Sequence, residues 1–367
     1  MKISEVELVA VALPFRKPYA TARGELDRRE MLLLRIRSDE GHVGLGEAVP
    51  LTLRGGAGLE EMARKLRRCG YRLEGTDLAP VVERPLIGAA ELFVKVSVWR
   101  RMPPPAAAAL ESALFDLAGR IAGEPLWKLL GGSEAHPVKC NATLAAGEPG
   151  AVAAEAERWS DRGFESFKLK LGAGTDSGQV RAVRDALGEG ARLRIDANAT
   201  WSAAEAIAEL RELQEQGIEL AEQPVDSIRD MTAVADAVDV RLAGDEIVND
   251  AKQARRARDR GACQLATAKL AKVGGLGNAA GIAREIPTYL SSALDGPAGI
   301  AAAAHAAQGI YRTAEDPGLA HGLATQELYA ETTAAVGCEV RDGMLHLPDG
   351  PGLGVELDEE ALERLSL

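Results

Sequence analysis

Hydrophobic and polar residues alternate along the first 48 residues, with the period of a β-strand. Polar turns such as Asp39-Glu40-Gly41 separate the apolar runs, so the pattern predicts an antiparallel meander with one covered face. Two helical patterns follow, and Gly123 is placed to end the second. We therefore predict a small α+β capping unit over residues 1–125. Its strands are expected at Ile3–Leu13, Met31–Arg37 and His42–Ala48, and its helices at Leu59–Arg68 and Pro104–Ile121.

From Val138 onward, short apolar strands alternate with amphipathic helices, which predicts a closed parallel barrel. An open doubly wound sheet is the alternative, but no G-x-G-x-x-G phosphate loop follows the first strand. The predicted fold is a TIM-type (β/α)7β barrel over residues 126–326, and residues 327–367 are expected to return to the cap. The predicted strands are Val138–Ala142, Ser166–Leu171, Arg192–Ile195, Ile218–Ala221, Arg241–Ala243, Gln264–Leu270 and Thr288–Ser292.

The composition limits the classes of molecule that this protein is expected to bind. The chain has 367 residues, of which 46% are apolar, and a formal net charge of −12. This charge opposes binding to nucleic acid and to anionic membranes, which both require clustered Lys and Arg. The 4 cysteines lie far apart, which favours free thiols, and no apolar run reaches the roughly 20 residues of a membrane span. We expect a cytoplasmic protein with a small-molecule carboxylate substrate, and a homo-oligomer is compatible with the sequence.

Two lysines lie near the end of the second predicted barrel strand, in Phe167-Lys168-Leu169-Lys170-Leu171. A strand period of two places Lys168 and Lys170 on one face and the apolar residues on the other. The apolar face should meet the helices, so both ammonium groups are expected in the barrel mouth, where barrel active sites lie. An edge strand with solvated lysines would instead expose three large apolar side chains.

A carboxylate ends or follows each of the next three strands, namely Asp196, Glu222 and Asp245. Any one of them alone is best interpreted as a helix cap. Three on consecutive strands are expected to converge, and they would repel one another unless a cation lies among them. An all-oxygen set without His or Cys suits Mg²⁺, with Mn²⁺ as a substitute. Glu246 is then expected either to support these ligands without binding the metal itself or to face the substrate.

The sixth predicted strand contributes Lys269. Nearby cations, here Lys168 and Mg²⁺, would lower the pKa of an active-site lysine towards useful base strength. This arrangement predicts one reaction type, in which a substrate carboxylate binds Mg²⁺, a lysine removes the α-proton and the metal holds the resulting enediolate. The metal would then be flanked by Lys170 and Lys269.

The segments KLK, DANATW, AEQP, GDE and AKLAKVGG follow one another on consecutive predicted strands. In this order they resemble the muconate lactonizing branch of the enolase superfamily. The likeness runs over essentially the whole chain, because it includes GLGEAVP in the cap and PGLGVELD in the tail. The resemblance implies that the three carboxylates bind the metal and that Asn198 supports Asp196. It also implies that Lys170 is the general base, tuned by Lys168, and that Lys269 lies on the opposite face of the substrate.

Within this branch, CNATLAAGEP, SSALD and HGLAT look most like o-succinylbenzoate synthases. The resemblance implies a lyase that dehydrates a cyclohexadiene carboxylate on the way to menaquinone. Gly296-Pro297 departs from the Ser or Thr that is more common there. Cap loops at Tyr19–Glu25 and Val49–Gly56 are expected to close over the substrate. The expected substrate contacts are Arg23, Ser292, Asp295 and Gly322.

Other reactions of the branch stay open as alternatives. N-acylamino acid racemases share the same lysine pair. Dipeptide epimerases usually carry an Asp-x-Asp pair where this chain has Leu323-Ala324-Thr325-Gln326-Glu327, and muconate cycloisomerases carry a Glu-Leu-Phe-Gly-Pro run that Glu327-Leu328-Tyr329 matches only in part. A non-enzymatic alternative is an inactive barrel that acts as a binding protein. Such a protein should have lost at least one lysine or ligand, and all six positions are intact here.

Overall fold

The computed structural model describes residues 1–21, 24–52, 55–97, 102–171, 176–309 and 319–367. Its first three strands are β1 (Ile3–Thr21), β2 (Gly24–Ser38) and β3 (Val43–Ala48). They form an antiparallel sheet in the order β1-β2-β3, so the predicted meander is confirmed. The first two strands are longer than predicted, because their pairing continues beyond Leu13 as far as Thr21.

The helices that follow the meander cover one face of it. The helix over Pro104–Ala122, α4, packs closely on β3 because Gly46 has no side chain there: a Cβ at Gly46 would lie 1.9 Å from the carbonyl oxygen of Ala109. The same helix ends at Ala122, and the next residue, Gly123, has a φ of 69°, which suits a glycine just after a helix. The helices of this part are α1 (Leu59–Leu73), α2 (Ala79–Glu83), α3 (Pro85–Ser97), α4 (Pro104–Ala122) and α5 (Leu126–Leu129).

The first predicted barrel strand, Val138–Ala142, is not one strand in the structure. Its first part forms β4 (Val138–Lys139), which pairs antiparallel with Met344 and Leu345 near the C-terminus. The parallel sheet begins only with β5 (Asn141–Leu144). The prediction was wrong here because an alternating run does not reveal which distant segment it will pair with.

A curled sheet of seven parallel strands forms the second half of the chain, and each strand pairs with the next one along the sequence. This is the α/β architecture that the alternation of strands and helices predicts. After β5 the strands are β6 (Ser166–Lys170), β7 (Arg192–Asp196), β8 (Ile218–Glu222), β9 (Leu242–Gly244), β10 (Leu265–Lys269) and β11 (Thr288–Ser291).

Helices connect these strands, and helices that are neighbours along the chain pack against one another. Their bounds are α6 (Pro149–Ser160), α7 (Asp176–Leu187), α8 (Ala203–Leu213), α9 (Ile228–Ala235), α10 (Ala251–Asp259), α11 (Leu270–Val273), α12 (Leu276–Ala283) and α13 (Pro297–Gly309). Short 3-10 helices cover Gln214–Gln216 and Ala324–Leu328.

Residues His321 and Gly322 connect the two edges of the parallel sheet. The backbone N–H of His321 donates to Lys139, and that of Asn141 donates to His321. On the other side, the N–H of Gly322 donates to the carbonyl of Leu290. These bonds form isolated bridges rather than a regular strand, so the eighth strand of the predicted barrel stays a prediction.

The C-terminal tail contacts both halves of the chain. Its backbone bonds join Ala330 to Pro14 and Leu367 to Ala10, both on β1. Its hairpin instead pairs with β4, next to the parallel sheet. The elements of the tail are β12 (Ala334–Val336), β13 (Glu339–Arg341), β14 (Met344–His346), β15 (Glu356–Leu357) and α14 (Glu359–Leu365). None of the described helices is long and apolar enough to span a bilayer.

Candidate active site

The predicted site residues lie at the carboxyl ends of neighbouring strands. Lys170, Asp196 and Glu222 end β6, β7 and β8. They are aligned across the sheet, since Lys170 pairs with Asp196 and Asp196 pairs with Glu222. Asp245 directly follows β9, and Lys269 ends β10. All five side chains therefore lie at the carboxyl-terminal ends of the strands, which is where barrel active sites form.

Both lysines of β6 contact carboxylates of the next strands. Lys168 Nζ lies 2.6 Å from Glu222 Oε2 and 2.8 Å from Asp196 Oδ2, so this ammonium group joins two carboxylates. Lys170 Nζ lies 2.6 Å from Asp196 Oδ2. The apolar neighbours of the two lysines are buried, in agreement with a strand whose two faces alternate.

The other end of the carboxylate row is held by two lysines. Lys269 Nζ lies 2.5 Å from Asp245 Oδ2 and 3.5 Å from Glu222 Oε1. Lys272, which the sequence analysis did not single out, lies with its Nζ 2.7 Å from Asp245 Oδ1 and also donates to the carbonyl of Val248. The motif AKLAKVGG contains both lysines, and it was the only sequence signal for Lys272.

Burial and neighbouring charges shift the pKa values in this cluster. The pKa of Lys170 is lowered to about 8, first by burial and then by the positive charges of Lys168 and Lys269, while the Asp196 carboxylate acts in the opposite direction. Burial also acts against the charged form of Lys168, but the carboxylates of Asp196 and Glu222 outweigh it and hold its pKa well above the usual value. Lys170, which the resemblance assigns as general base, therefore has a lowered pKa, and burial lowers the pKa of Lys272 as well.

The two residues predicted to support the metal ligands lie beside them. The backbone N–H of Asn198 donates to Asp196 Oδ1 over 3.0 Å, and Asn198 Oδ1 accepts a hydrogen bond from Lys170 over 3.4 Å. Glu246 follows Asp245 and is half-buried, and its carboxylate stabilises the charged form of Lys272. Asn198 therefore contacts both Asp196 and Lys170, whereas Glu246 acts on Lys272.

The sequence analysis gave no role to two further residues, Tyr289, which contacts a carboxylate, and Gln223, which contacts the backbone beside another. The Tyr289 hydroxyl donates to Glu222 Oε2 over 2.5 Å. Gln223 is fully buried, and its Oε1 accepts hydrogen bonds from the backbone N–H groups of Asp245 and Ile247. Gln223 belongs to the AEQP motif, whereas Tyr289 lies in an apolar strand that carries no signal for a polar role.

Three of the four expected substrate contacts lie together, because the backbone N–H of Ser292 donates to the carbonyl of Gly322 over 3.0 Å and the Ser292 side chain also contacts Asp295. Ser292 and Asp295 bond to each other, with 2.8 Å between Ser292 Oγ and Asp295 Oδ2. Gly322 packs against Ser291, because a Cβ there would lie 2.5 Å from the Ser291 hydroxyl. Arg23 lies outside the described residues, as do parts of the two cap loops. The contacts of these residues with a substrate stay predictions.

The loop that follows β11 is held by the cap and the tail. Arg29 donates from Nη2 to the carbonyl groups of Pro50 and Ala293, over 2.7 and 2.8 Å. The Tyr329 hydroxyl donates to the carbonyl of Leu294 over 2.7 Å. Glu47 accepts a hydrogen bond from the backbone of Gly296 at the start of α13. The loop that contains two expected substrate contacts is therefore fixed by its neighbours.

The donor chemistry of the cluster fits a divalent cation. Asp196, Glu222 and Asp245 are buried and offer only carboxylate oxygens, which Mg²⁺ prefers. Glu222 Oε1 is buried and accepts no hydrogen bond from any described residue. Ammonium groups of lysines nevertheless bridge the three carboxylates, and no group of three acidic, His or Cys side chains in the described ranges is arranged around one point. The metal ligands therefore stay a prediction, supported by the donor type.

Comparison with known proteins places the chain in a family. Residues 3–131 match the mandelate racemase / muconate lactonizing enzyme N-terminal domain, and residues 151–361 match the enolase C-terminal domain-like family. The chain therefore belongs to the enolase superfamily, and within it to the mandelate racemase and muconate lactonizing enzyme group. The resemblance seen in the motifs is confirmed.

Characterised relatives catalyse several different reactions. The chain is 31% identical to the L-Ala-D/L-Glu epimerase of Bacillus subtilis, over 83% of this chain and 84% of the relative. It is also 31% identical to the N-succinylamino acid racemase of Thermus thermophilus, over 100% of this chain and 98% of the relative. Muconate cycloisomerases of Acinetobacter baylyi and Pseudomonas putida match as well.

A solved structure with a similar fold contains a metal. The dipeptide epimerase of Cytophaga hutchinsonii, in complex with Mg and the dipeptide D-Ala-L-Val, superposes with a TM-score of 0.89 and 27% identity. The superposition covers 100% of this chain and 98% of that one. None of the relatives named above is an o-succinylbenzoate synthase, so the expected dehydration and its link to menaquinone gain no support from them.

Proposed function

We propose that this protein racemises an N-acylated amino acid, by removing the proton next to the substrate carboxylate with one lysine and returning a proton from the other side with a second. The observation that carries the proposal is the position of Lys170 and Lys269 on opposite sides of the carboxylate row. A reaction that inverts a carbon centre needs an acid–base group on each face of that carbon.

Lys170 and Lys269 carry the proton transfers in this proposal, while Lys168 stabilises the negative charges beside Lys170. The lowered pKa of Lys170 makes its neutral, basic form accessible near neutral pH. Asp196, Glu222 and Asp245 would hold Mg²⁺, with Mn²⁺ as a substitute. When bound, the ion would attract the substrate carboxylate and offset the charge that develops when the α-proton leaves.

The choice of an N-acylated substrate rests on what replaces the acidic pair of dipeptide epimerases. Leu323, Ala324 and Thr325 are buried and carry no carboxylate, and the one carboxylate of the segment, Glu327, pairs with Arg162 at 2.6 Å, so the segment has no acidic pair to hold a substrate ammonium group. The similarity to the N-succinylamino acid racemase of Thermus thermophilus, which covers the whole chain, supports the same choice. Dipeptide epimerisation is the second candidate, because the match to the Bacillus subtilis epimerase is equally close in identity.

We also propose the domain division that the sequence predicts, with a cap at residues 1–125, a barrel at 126–326 and a returning tail at 327–367. The bonds of Arg29 and Glu47 to the loop after β11 support this arrangement, because they join the cap to the barrel beside the site. Residues 320–322 would then serve as the eighth strand of the barrel.

The reaction is tested by incubating the purified protein with Mg²⁺ in deuterated water and following the α-proton by nuclear magnetic resonance. Substrates are N-succinyl and N-acetyl amino acids of both configurations, a set of L,L-dipeptides, cis,cis-muconate and the cyclohexadiene substrate of o-succinylbenzoate synthases. We expect deuterium incorporation and loss of optical activity with the N-acyl amino acids. Dehydration or lactone formation without any exchange of N-acyl amino acids would contradict the proposal. Exchange confined to dipeptides would favour the second candidate.

A further inference from the structure

Tyr289 joins an apolar cluster inside the sheet to one of the site carboxylates. Its ring is buried in a small cluster that lies apart from the main core, and its hydroxyl donates to Glu222 Oε2 over 2.5 Å. Leu220, a member of the same cluster, lies on the same face of β8 as Glu222 because strand side chains alternate. The tyrosine therefore runs along that face and places a polar atom at the carboxylate.

The two oxygens of Glu222 have different surroundings. Oε2 receives both the Tyr289 hydroxyl and the ammonium group of Lys168, at 2.5 and 2.6 Å. Oε1 is buried and accepts no hydrogen bond from the described residues, and its nearest ammonium group is that of Lys269 at 3.5 Å. A carboxylate held in this way has one oxygen whose hydrogen bonds are satisfied and one oxygen that can bind a cation.

The tyrosine ring is itself fixed. The guanidinium carbon of Arg194 lies 5.3 Å from the ring centroid, within the range of a cation–π contact. Arg194 is fully buried, and it donates to the carbonyl of Ala320 and to Glu219, each over 2.5 Å. Burial and the Glu222 carboxylate also hold the pKa of Tyr289 well above its usual value, so its hydroxyl stays a neutral donor.

We infer that Tyr289 is a positioning residue which, together with Lys168, occupies Oε2 of Glu222 and so presents Oε1 alone to a divalent cation. The inference rests on the metal site of the proposed function and adds to it the number of oxygens that Glu222 offers. Mg²⁺ requires near-octahedral geometry and suits a single oxygen from each carboxylate, whereas Ca²⁺ also accepts both oxygens of one carboxylate. Tyr289 should therefore favour Mg²⁺ over Ca²⁺.

The test compares Mg²⁺ and Ca²⁺ affinities of metal-free protein by isothermal titration calorimetry. In Tyr289→Phe we expect Mg²⁺ binding to weaken by about 10-fold or more, the usual effect of removing a residue that orients a metal ligand, and Ca²⁺ binding to weaken by a smaller factor. Tyr329→Phe is the matched control, because Tyr329 is also buried but donates to the backbone of Leu294. Its Mg²⁺ affinity should equal that of the unmodified protein.

Each outcome decides the inference. Unchanged Mg²⁺ affinity in Tyr289→Phe, an equal loss for both ions, or an equal loss in Tyr329→Phe would overturn it while leaving the metal site intact. Absence of Mg²⁺ binding by the unmodified protein would overturn the metal site and the inference together.

A second measurement applies where circular dichroism shows that Tyr289→Phe does not fold. The unmodified chain is then labelled with 3-fluorotyrosine, and the resonance of Tyr289 is assigned by replacing each of the other 4 tyrosines with Phe. We expect this resonance to shift on addition of Mg²⁺, and a resonance that stays unmoved at saturation would overturn the inference.

Discussion

Lys170 and Lys269 lie on β6 and β10, with the three strands that carry or precede the site carboxylates between them. Each lysine contacts the carboxylate at its own end of the row, at 2.6 Å from Asp196 and 2.5 Å from Asp245. A substrate bound over the row would therefore meet an amine on each side. This arrangement suits proton removal from one face and proton return to the other.

Replacement of Lys170 tests its role as the base. In Lys170→Ala we expect turnover to fall by at least about 100-fold, the scale on which a general base contributes, while circular dichroism stays unchanged. Lys128→Ala is the matched control, because Lys128 is largely exposed and its ammonium group pairs with Glu124 at 2.7 Å. Normal turnover in Lys170→Ala would remove this lysine from the mechanism.

Removal of divalent cations tests the predicted metal site. After exhaustive chelation we expect α-proton exchange to stop, and added Mg²⁺ or Mn²⁺ to restore it, because three buried carboxylates require a cation beside the substrate carboxylate. Chelator that has been saturated with Mg²⁺ beforehand serves as the control. Full exchange in the metal-free protein would be incompatible with the assignment of Asp196, Glu222 and Asp245.

The sequence predicts those parts of the site that follow from strand periodicity. A period of two and the position of each strand end were enough to bring Lys168, Lys170 and Asp196 together. Residues that act across the sheet were missed: Tyr289 lies in the middle of an apolar strand, and Lys272 lies beyond the end of its strand. Their partners on β8 and after β9 become visible only when the strands are placed side by side.

Long-range pairing limited the prediction of the fold in the same way. The run that begins at Val138 alternates like a single strand, but half of it pairs with Leu345 and half with β6. The segment that joins the sheet edges, His321–Gly322, is too short to show a periodic pattern. Local patterns therefore predicted most of the sheet strands but missed α3 (Pro85–Ser97), and the partners of the outermost segments required the structure.

Glu47 should make the stability of the protein depend on pH. Burial, aided by the nearby Asp295 carboxylate, raises the pKa of Glu47 from 4.5 to about 8 in the folded chain. Between these values the unfolded chain loses this proton and the folded chain keeps it, so the free energy of unfolding falls as pH rises. The loss is at most about 1.4 kcal/mol for each pH unit.

The measurement for Glu47 is urea unfolding from pH 5 to pH 8. Glu47→Gln should remove this part of the pH dependence, because the amide does not titrate, so the unmodified protein should lose stability relative to the variant as pH rises. The exposed Glu360 provides the control: Glu360→Gln should keep the slope of the unmodified protein. Parallel pH profiles for the unmodified protein and Glu47→Gln would contradict the prediction.

A substitution at Gly322 tests its close contact with Ser291, through which residues 321 and 322 join the two edge strands of the sheet. In Gly322→Ala we expect the free energy of unfolding to fall by about 1–3 kcal/mol, because the added Cβ would lie 2.5 Å from the Ser291 hydroxyl and force a shift. Gly190→Ala is the matched control, since nothing lies within 4 Å of the added Cβ at that position. Equal stabilities of the two variants in urea unfolding would show that this contact is not tight.

The most direct test of the two-lysine mechanism follows deuterium exchange separately for the L and D forms of one N-acyl amino acid. In Lys170→Ala, exchange should be lost with one configuration and retained with the other, and Lys269→Ala should show the opposite preference. This reciprocal pattern is expected because each lysine serves one face of the α-carbon. Two results would contradict the assignment of Lys269 as the second acid–base group. One is loss of exchange with the same configuration in both variants, and the other is exchange with both configurations unchanged in Lys269→Ala.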